Sequence, residues 1–310
     1  MINMVSKVAS TMNYAVTSVT VIVTDGAGNV LLSERARDPD KGRLAFVDTY
    51  ARPQFDNFEQ IAVEQVLKET GLHVTLTHLV GVFDELVLPQ PTLGDYARVV
   101  QIVYVAEVVG GKLCITDRAN KHVWASFSDP LKSLAFNHKH IFSLYQKKMK
   151  EGLLLPVERT KFADHYGTHF EYMQDSVVFF VPKAFIFNEK GKLLLAKRAQ
   201  EPYLGHWDLP GGRMKGEETV ETCLKREINE ELNVRGKIGD LFQVYADKGK
   251  NPKYPGVLAL YFAEIDSSIF KKNVEMVEFE WFSLNNLPDK LAFHLDGPLG
   301  DLSERLGEER

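Results

Sequence analysis

Arg226, Glu227, Glu230 and Glu231 lie in one stretch, "VETCLKREINEELNV", from Val220 to Val234. Residues three and four apart on a helix are neighbours within one turn, so these three carboxylates share a face with a guanidinium among them. Carboxylates that close repel unless positive charge sits between them. A hard divalent cation such as Mg²⁺ supplies that charge, takes oxygen ligands and keeps places for water and phosphate. The competing reading of the same letters is a solvated charged face. Val220, Cys223, Leu224, Ile228, Leu232 and Val234 form the apolar or small inner stripe, which leaves the acids on a different face.

The elements ahead of the helix decide what those acids can reach. "LPGG" (Leu209 to Gly212) forces a turn immediately before the helix, which is expected to open near Glu217. Upstream, runs at about 178 to 187 and 192 to 198 read as two strands around a tight turn at Gly191. Four side chains are assigned to a bound molecule. Trp207 stacks on a base or plugs the core, Arg198 ends the second strand, and Lys253 and Tyr254 lie in a cationic loop that grips phosphates or is merely solvated. His206 is incidental, and Cys223 on the inner stripe reads as packing.

Composition sets the frame. The 310 residues, 45% apolar and 25% charged, suit an ordinary globular chain of about two domains. A net charge of −5 with acids and bases interspersed offers no basic stripe to nucleic acid. The start, "MINMVSKVASTMNYAV", lacks an apolar core, and no apolar run approaches the roughly 18 residues of a membrane span, so a cytoplasmic chain is expected. Cys114 and Cys223 form no C-x-x-C pair, and both are expected to be buried thiols.

The chain also repeats itself. "VIVTDGAGNVLLSERARDPDKG" (Val21 to Gly42) lies over "AFIFNEKGKLLLAKRAQEPYLG" (Ala184 to Gly205) at a constant offset. Later, "VYVAE" (Val103 to Glu107) meets "LYFAE" (Leu260 to Glu264), Trp124 meets Trp281, and "LAFNH" (Leu134 to His138) meets "LAFHL" (Leu291 to Leu295), at a smaller offset that loop deletions explain. Internal duplication follows, with a first domain over 1–151, a linker over 152–175 and a second domain over 176–310. The first closes in a helix with inner positions Ile141, Leu144, Tyr145 and Met149, stopping at Gly152; the chain ends in a short amphipathic helix.

The second copy resembles the Nudix hydrolase family, whose box reads G-x5-E-x7-R-E-U-x-E-E-x-G-U with U aliphatic. The matching residues are Gly212, Glu218, Arg226, Glu227, Ile228, Glu230, Glu231 and Val234; Asn233 stands at the second glycine and is the residue best able to replace it in a left-handed helix end. "GHWDLPGG" and "FEWFSLNNLP" are similar to the family's flanking segments. The resemblance implies an α+β fold, two α/β/α sandwiches in tandem with a mixed sheet between helices. It implies that Glu227, Glu230 and Glu231 hold Mg²⁺ or Mn²⁺ with the Gly211 carbonyl, while Glu218 and Arg226 hold the loop and orient the acids. A further acidic ligand falls on Glu275, with Glu278 as competitor, and Glu227 is named as general base. The activity implied is pyrophosphate hydrolysis of a nucleoside diphosphate linked to another moiety, ADP-ribose or NADH-like first and (d)NTP second.

Laid on the first copy, the box puts Tyr50 at its glycine, Asp56 at the first Glu, and Glu64, Gln65, Lys68 and Glu69 at the Arg and the three acids; Arg118 takes the place of Glu275. An ammonium where a divalent ion belongs repels it. This copy is expected to be non-catalytic, a scaffold that makes the chain an internal pseudo-dimer free to be monomeric. A nucleotide sensor is the alternative for the whole chain, although no helix-turn-helix pattern or basic patch supplies it an output.

Overall fold

The computed structural model describes residues 15–51, 58–89, 96–128, 131, 133–157, 179–215, 218–247 and 256–308. These fall into two compact units, 16–157 and 179–308. No described helix is long and apolar enough to cross a membrane.

The first unit runs β1 (Val16–Thr24), β2 (Asn29–Arg35), β3 (Leu44–Ala45), β4 (Val47–Tyr50), α1 (Phe58–Thr70), β5 (Leu72–Pro89), β6 (Tyr96–Gly111), β7 (Ala119–Ser126), α2 (His138–Glu151) and β8 (Leu155–Pro156). They make one mixed sheet in the order β3-β2-β1-β6-β5-β8, with β4 on β1 and β7 on β2. β1 and β6 pair in parallel from Val16↔Val99 to Thr24↔Glu107. The β-branched run "VTSVTVIVT" of β1 suits a central strand buried along nearly its whole length. Ile22, Val30, Leu32 and Phe46 meet Ile141, Phe142 and Tyr145 of α2 in one core cluster. α2 ends as its sequence predicts, in a left-handed Gly152 with φ 69°, whereas Met149 of the proposed stripe is 52% exposed.

The second unit runs β9 (Phe179–Ile186), β10 (Leu193–Arg198), β11 (Trp207–Asp208), α3 (Val220–Leu232), β12 (Gly236–Asp247), β13 (Gly256–Ile265), β14 (Met276–Phe282) and α4 (Asp296–Glu308). Its strands form two three-stranded sheets, β11-β10-β14 and β12-β13-β9. β13 and β9 are parallel and the remaining pairs antiparallel. The division is slight: the isolated bridge Phe187↔Leu193 stands where Thr24↔Val30 joins β1 to β2 in the first unit.

The loop after the second strand is built alike in both units. Arg35 Nε donates to the Pro39 carbonyl at 2.8 Å, and Arg198 Nε to that of Pro202 at 2.8 Å. The Gly42 amide reaches Arg35 O at 2.8 Å and the Gly205 amide reaches Arg198 O at 2.9 Å. Ala36 N donates to Arg118 O at 2.9 Å and Ala199 N to Glu275 O at 2.7 Å, which puts Arg118 and Glu275 at corresponding places.

One cysteine departs from expectation. Cys223 is buried, but Cys114 is exposed. The apolar letters around Cys114 fall beyond the end of β6, in irregular chain tied to the end of α1 by backbone, Cys114 N to Thr70 O at 2.9 Å.

Candidate active site

Thr219 starts α3. Its side chain accepts from the Thr222 amide at 3.1 Å while Thr222 Oγ1 accepts from the Thr219 amide at 2.8 Å, a reciprocal cap that holds the first turn. The helix therefore opens at Val220, slightly later than the expected Glu217, which lies outside the described residues. At the other end Asn233 adopts φ 59° and ψ 38°, and its amide donates to Asn229 O at 2.9 Å. Asparagine takes there the left-handed conformation that glycine otherwise supplies.

Cys223, Leu224, Ile228 and Leu232 are fully buried, as the inner stripe requires. Glu227 and Glu231 are buried too, 8% and 3% exposed, and so do not lie on a separate solvated face. The Pro-Gly-Gly turn covers them. Gly211 N donates to Glu231 Oε2 at 2.9 Å, and a Cβ on Gly212 would stand 2.5 Å from Glu227 Oε1. The turn itself lies on β9: Gly211 bridges Lys183, Ala184 N donates to Pro210 O at 2.8 Å, and Gly211 has φ 136°. A side chain at Gly211 would meet the Pro182 carbonyl at 2.4 Å, so only glycine allows this approach.

Arg226 is the hub. Its Nε and Nη2 donate to Glu218, its Nη1 to Glu227 Oε1 at 2.6 Å and to Glu230 Oε2 at 2.9 Å, and its Nη2 to the Arg213 carbonyl at 3.3 Å. Glu218 Oε2 also accepts the Lys215 amide at 2.9 Å. Burial opposes ionising Glu218, but the Arg226 hydrogen bond and the Lys215 amide outweigh it and hold the carboxyl below its ordinary range. Burial raises Glu227 despite Arg226, and raises Glu231 well above the usual carboxylate value despite nearby Lys183. Such carboxyls gain most from an added positive charge.

Each acid has one oxygen engaged, Glu227 Oε1, Glu230 Oε2 and Glu231 Oε2, and one without a hydrogen bond to any described residue. As they stand, no three carboxylate, histidine or cysteine groups among the described residues enclose a common ion position, since the guanidinium occupies the space between Glu227 and Glu230. The donor set is nonetheless all oxygen and partly desolvated, and the glycines keep side chains out of the cradle. That suits a hard divalent cation.

A buried pair beneath the acids carries no motif. Lys183 Nζ lies 2.6 Å from Asp208 Oδ1, their side chains 4% and 0% exposed, and Lys183 also donates to Leu209 O at 3.2 Å. The signal was present in "FFVPKAFIF", a lysine inside an otherwise apolar strand. Arg198 Nη1 binds the other oxygen of Asp208 at 3.1 Å, so the residue expected to contact substrate is held by this pair and by the Pro202 carbonyl. Trp207 is 7% exposed and packs edge-on against Phe282 at 5.0 Å. The core position thus describes it. Glu275 is exposed, whereas the competing Glu278 is paired with Lys197 at 2.9 Å. Lys253 and Tyr254 lie outside the described residues.

In the first unit the helix corresponding to α3 is α1. There the Gln65 amide donates to Glu69 Oε2 at 3.0 Å, and both residues are buried. Burial, then Asp48, push Glu69 up to about 7. Lys68 and Glu64 are exposed, Glu64 accepting from Gln60 at 2.8 Å. Asp56 lies outside the described residues.

Residues 182–300 match the NUDIX domain. An ADP-ribose pyrophosphatase of Methanocaldococcus jannaschii is 36% identical over 108 residues, covering 35% of this chain and 63% of that protein. The human 8-oxo-dGDP phosphatase NUDT18 is 28% identical over 121 residues, covering 38% of this chain and 36% of its own. A MutT NUDIX hydrolase structure from Burkholderia pseudomallei aligns with 29% identity over 39% of this chain and 95% of its own, with a TM-score of 0.37. The chain spans less than two thirds of the length of the curated relatives it matches.

Proposed function

We propose, for a chain whose residues 182–300 match the NUDIX domain, a divalent-metal-dependent hydrolase that splits the pyrophosphate of a nucleoside diphosphate joined to another moiety, with ADP-ribose as the first substrate. The observation that carries this is the carboxylate array: Glu227, Glu230 and Glu231 each keep one oxygen without a hydrogen bond to any described residue, the other being held by Arg226 or the Gly211 amide. Glu227, Glu230, Glu231, the Gly211 carbonyl and Glu275 would hold the metal. Bound there, Mg²⁺ or Mn²⁺ offsets the pyrophosphate charge and lowers the pKa of a coordinated water. Glu227 is assigned the proton of the attacking water, Glu218 and Arg226 orient the acids, and the loop bearing Lys253 and Tyr254 grips phosphate. Water oxygen bonds to phosphorus, the bridging P–O bond breaks, and ADP-ribose yields AMP and ribose 5-phosphate.

The archaeal relative supports ADP-ribose. The human relative supports a second reading, an oxidised guanine nucleotide. The 16–157 unit is, in this proposal, a duplicate of the same fold that lost its metal site and serves as scaffold. The corresponding hydrogen bonds around Arg35 and Arg198 support common descent, and Gln65 and Lys68 support the loss.

The test is hydrolysis by the purified full chain with Mg²⁺ or Mn²⁺ of ADP-ribose, NADH, 8-oxo-dGDP, 8-oxo-dGTP and unmodified dNTPs. AMP release from ADP-ribose is expected, with Glu231→Gln lowering turnover by roughly a hundredfold or more while the protein stays folded. Unchanged rates in excess chelator, or in Glu231→Gln, would remove the proposal.

A further inference from the structure

Asn273 belongs to none of the sequence motifs, yet its side chain joins the two stretches that carry the acids. It lies between β13 and β14. Its Nδ2 donates to the Glu230 carbonyl at 3.0 Å and to the Glu231 carbonyl at 2.8 Å, while its Oδ1 accepts from the amides of Glu275 at 2.9 Å and Met276 at 2.8 Å. The last carbonyls of a helix lack partners within it, and here one side chain serves two of them. Glu275 is also tied from the far side. Its carbonyl accepts from Ala199 N at 2.7 Å, and the carbonyl of Val274 accepts from Gln200 Nε2 at 2.9 Å.

The first unit offers an internal contrast. Thr116 stands where Asn273 does, and its Oγ1 accepts from the Arg118 amide at 3.3 Å, so the turn is kept. A threonine has no amide donors, and the end of α1 is met instead by the backbone, Cys114 N to Thr70 O at 2.9 Å. The unit with Gln65, Lys68 and Arg118 in place of acids thus keeps the turn without the side-chain link to the helix.

We infer that Asn273 is a positioning residue that sets the place of the Glu275 carboxylate relative to Glu227, Glu230 and Glu231, so that all four act on one divalent ion. The inference rests on the metal-site reading above. A residue that merely capped the helix would change stability without touching metal affinity.

The test uses the full chain as wild type, Asn273→Thr, Asn273→Asp, Glu275→Gln and the doubles with Glu275→Gln. Asn273→Thr installs the first unit's residue, and Asn273→Asp keeps the size and the Oδ1 acceptor while removing the donors. Free Mn²⁺ is followed by its EPR signal without substrate, beside hydrolysis and thermal melting. Both Asn273 variants are expected to weaken Mn²⁺ binding by about 10- to 100-fold, the usual cost of losing a group that orients metal ligands. Excess Mn²⁺ should restore turnover, KM at saturating metal should stay within about twofold, and the doubles should bind no more weakly than Glu275→Gln alone. A lower melting temperature with wild-type Mn²⁺ affinity overturns the inference, as does a loss in the doubles that adds to that of Glu275→Gln. If Asn273→Thr does not fold, Asn273→Asp decides alone. A wild-type chain that neither binds Mn²⁺ nor hydrolyses any substrate overturns the metal-site reading, and this inference with it.

Discussion

Two adjacent glycines separate structural from chemical need. At Gly211 a methyl group meets the backbone of Pro182 and Lys183 at 2.4 and 2.6 Å, and the φ of 136° is closed to other residues. Gly211→Ala is therefore expected to destabilise the second unit by about 2 kcal/mol or more. At Gly212 the methyl meets the carboxyl end of the Glu227 side chain, 2.5 Å from Oε1, and no backbone as near. Gly212→Ala should unfold at nearly the wild-type denaturant concentration, yet lose turnover by roughly tenfold or more as the carboxylate is pushed aside. Parallel denaturant melts and rate measurements check both. Loss of stability in Gly212→Ala comparable to Gly211→Ala would mean that Glu227 is too tightly held to move. Of this geometry the sequence made the residue types legible, and it hid the burial. Glu227 and Glu231 read as a charged outer face because periodicity knows the helix alone, whereas the turn that covers them follows β11 and is held against β9.

α3 depends on its ends. Asn233 pays the left-handed cost within its own backbone, so Asn233→Ala should lower stability by about 1 kcal/mol, while Asn233→Gly stays within roughly 0.5 kcal/mol of wild type. Chemical denaturation of the full chain, followed in the second unit, measures both; equal stability of the alanine and glycine variants would contradict the conformational reason. This helix, its Pro-Gly-Gly approach and the strands β9 and β10 were legible because strong local signals bound them: a glycine-rich turn, an apolar stripe and an asparagine end. What escaped was non-local. The Lys183–Asp208 pair and the Asn273 bridge join residues far apart in sequence, and no window of neighbouring letters contains both partners. α3 starts later than Glu217 because Thr219 and Thr222 cap each other.

Over the whole molecule the two units should answer separately to mutation and to pH. Gln65→Ala with Lys68→Ala is expected to leave kcat within about threefold, under ~0.7 kcal/mol, because neither side chain belongs to the proposed site; a larger loss would make the first unit part of the catalyst. Acid should act first on His138. Its Nδ1 accepts from the Phe46 amide at 3.1 Å, so the folded ring is neutral, and burial, then Arg35, bring its pKa down to about 3 from 6.5. The unfolded chain takes up that proton first, and stability is lost progressively as pH falls from about 6.5 to 3. Glu69, raised from 4.5 to about 7, works in the opposite sense: its contribution is full below 4.5 and is lost as pH rises through 7. Between about 4.5 and 6.5 the two slopes offset each other, and below 4.5 the loss at His138 is joined by that of carboxyls held low in the fold, Glu218 among them. His138→Leu, which installs the letter found at Leu295 in the repeat, should flatten the loss below 4.5, as melts across pH would record; an unchanged slope would sink the assignment. Following one half without the other is made practical by the exposed Cys114. The only other thiol, Cys223, is sealed in the second unit. A maleimide dye added to the native chain should therefore mark a single place, beside the end of α1, and its emission would track the first unit unfolding while the turnover proposed for the second unit is followed beside it.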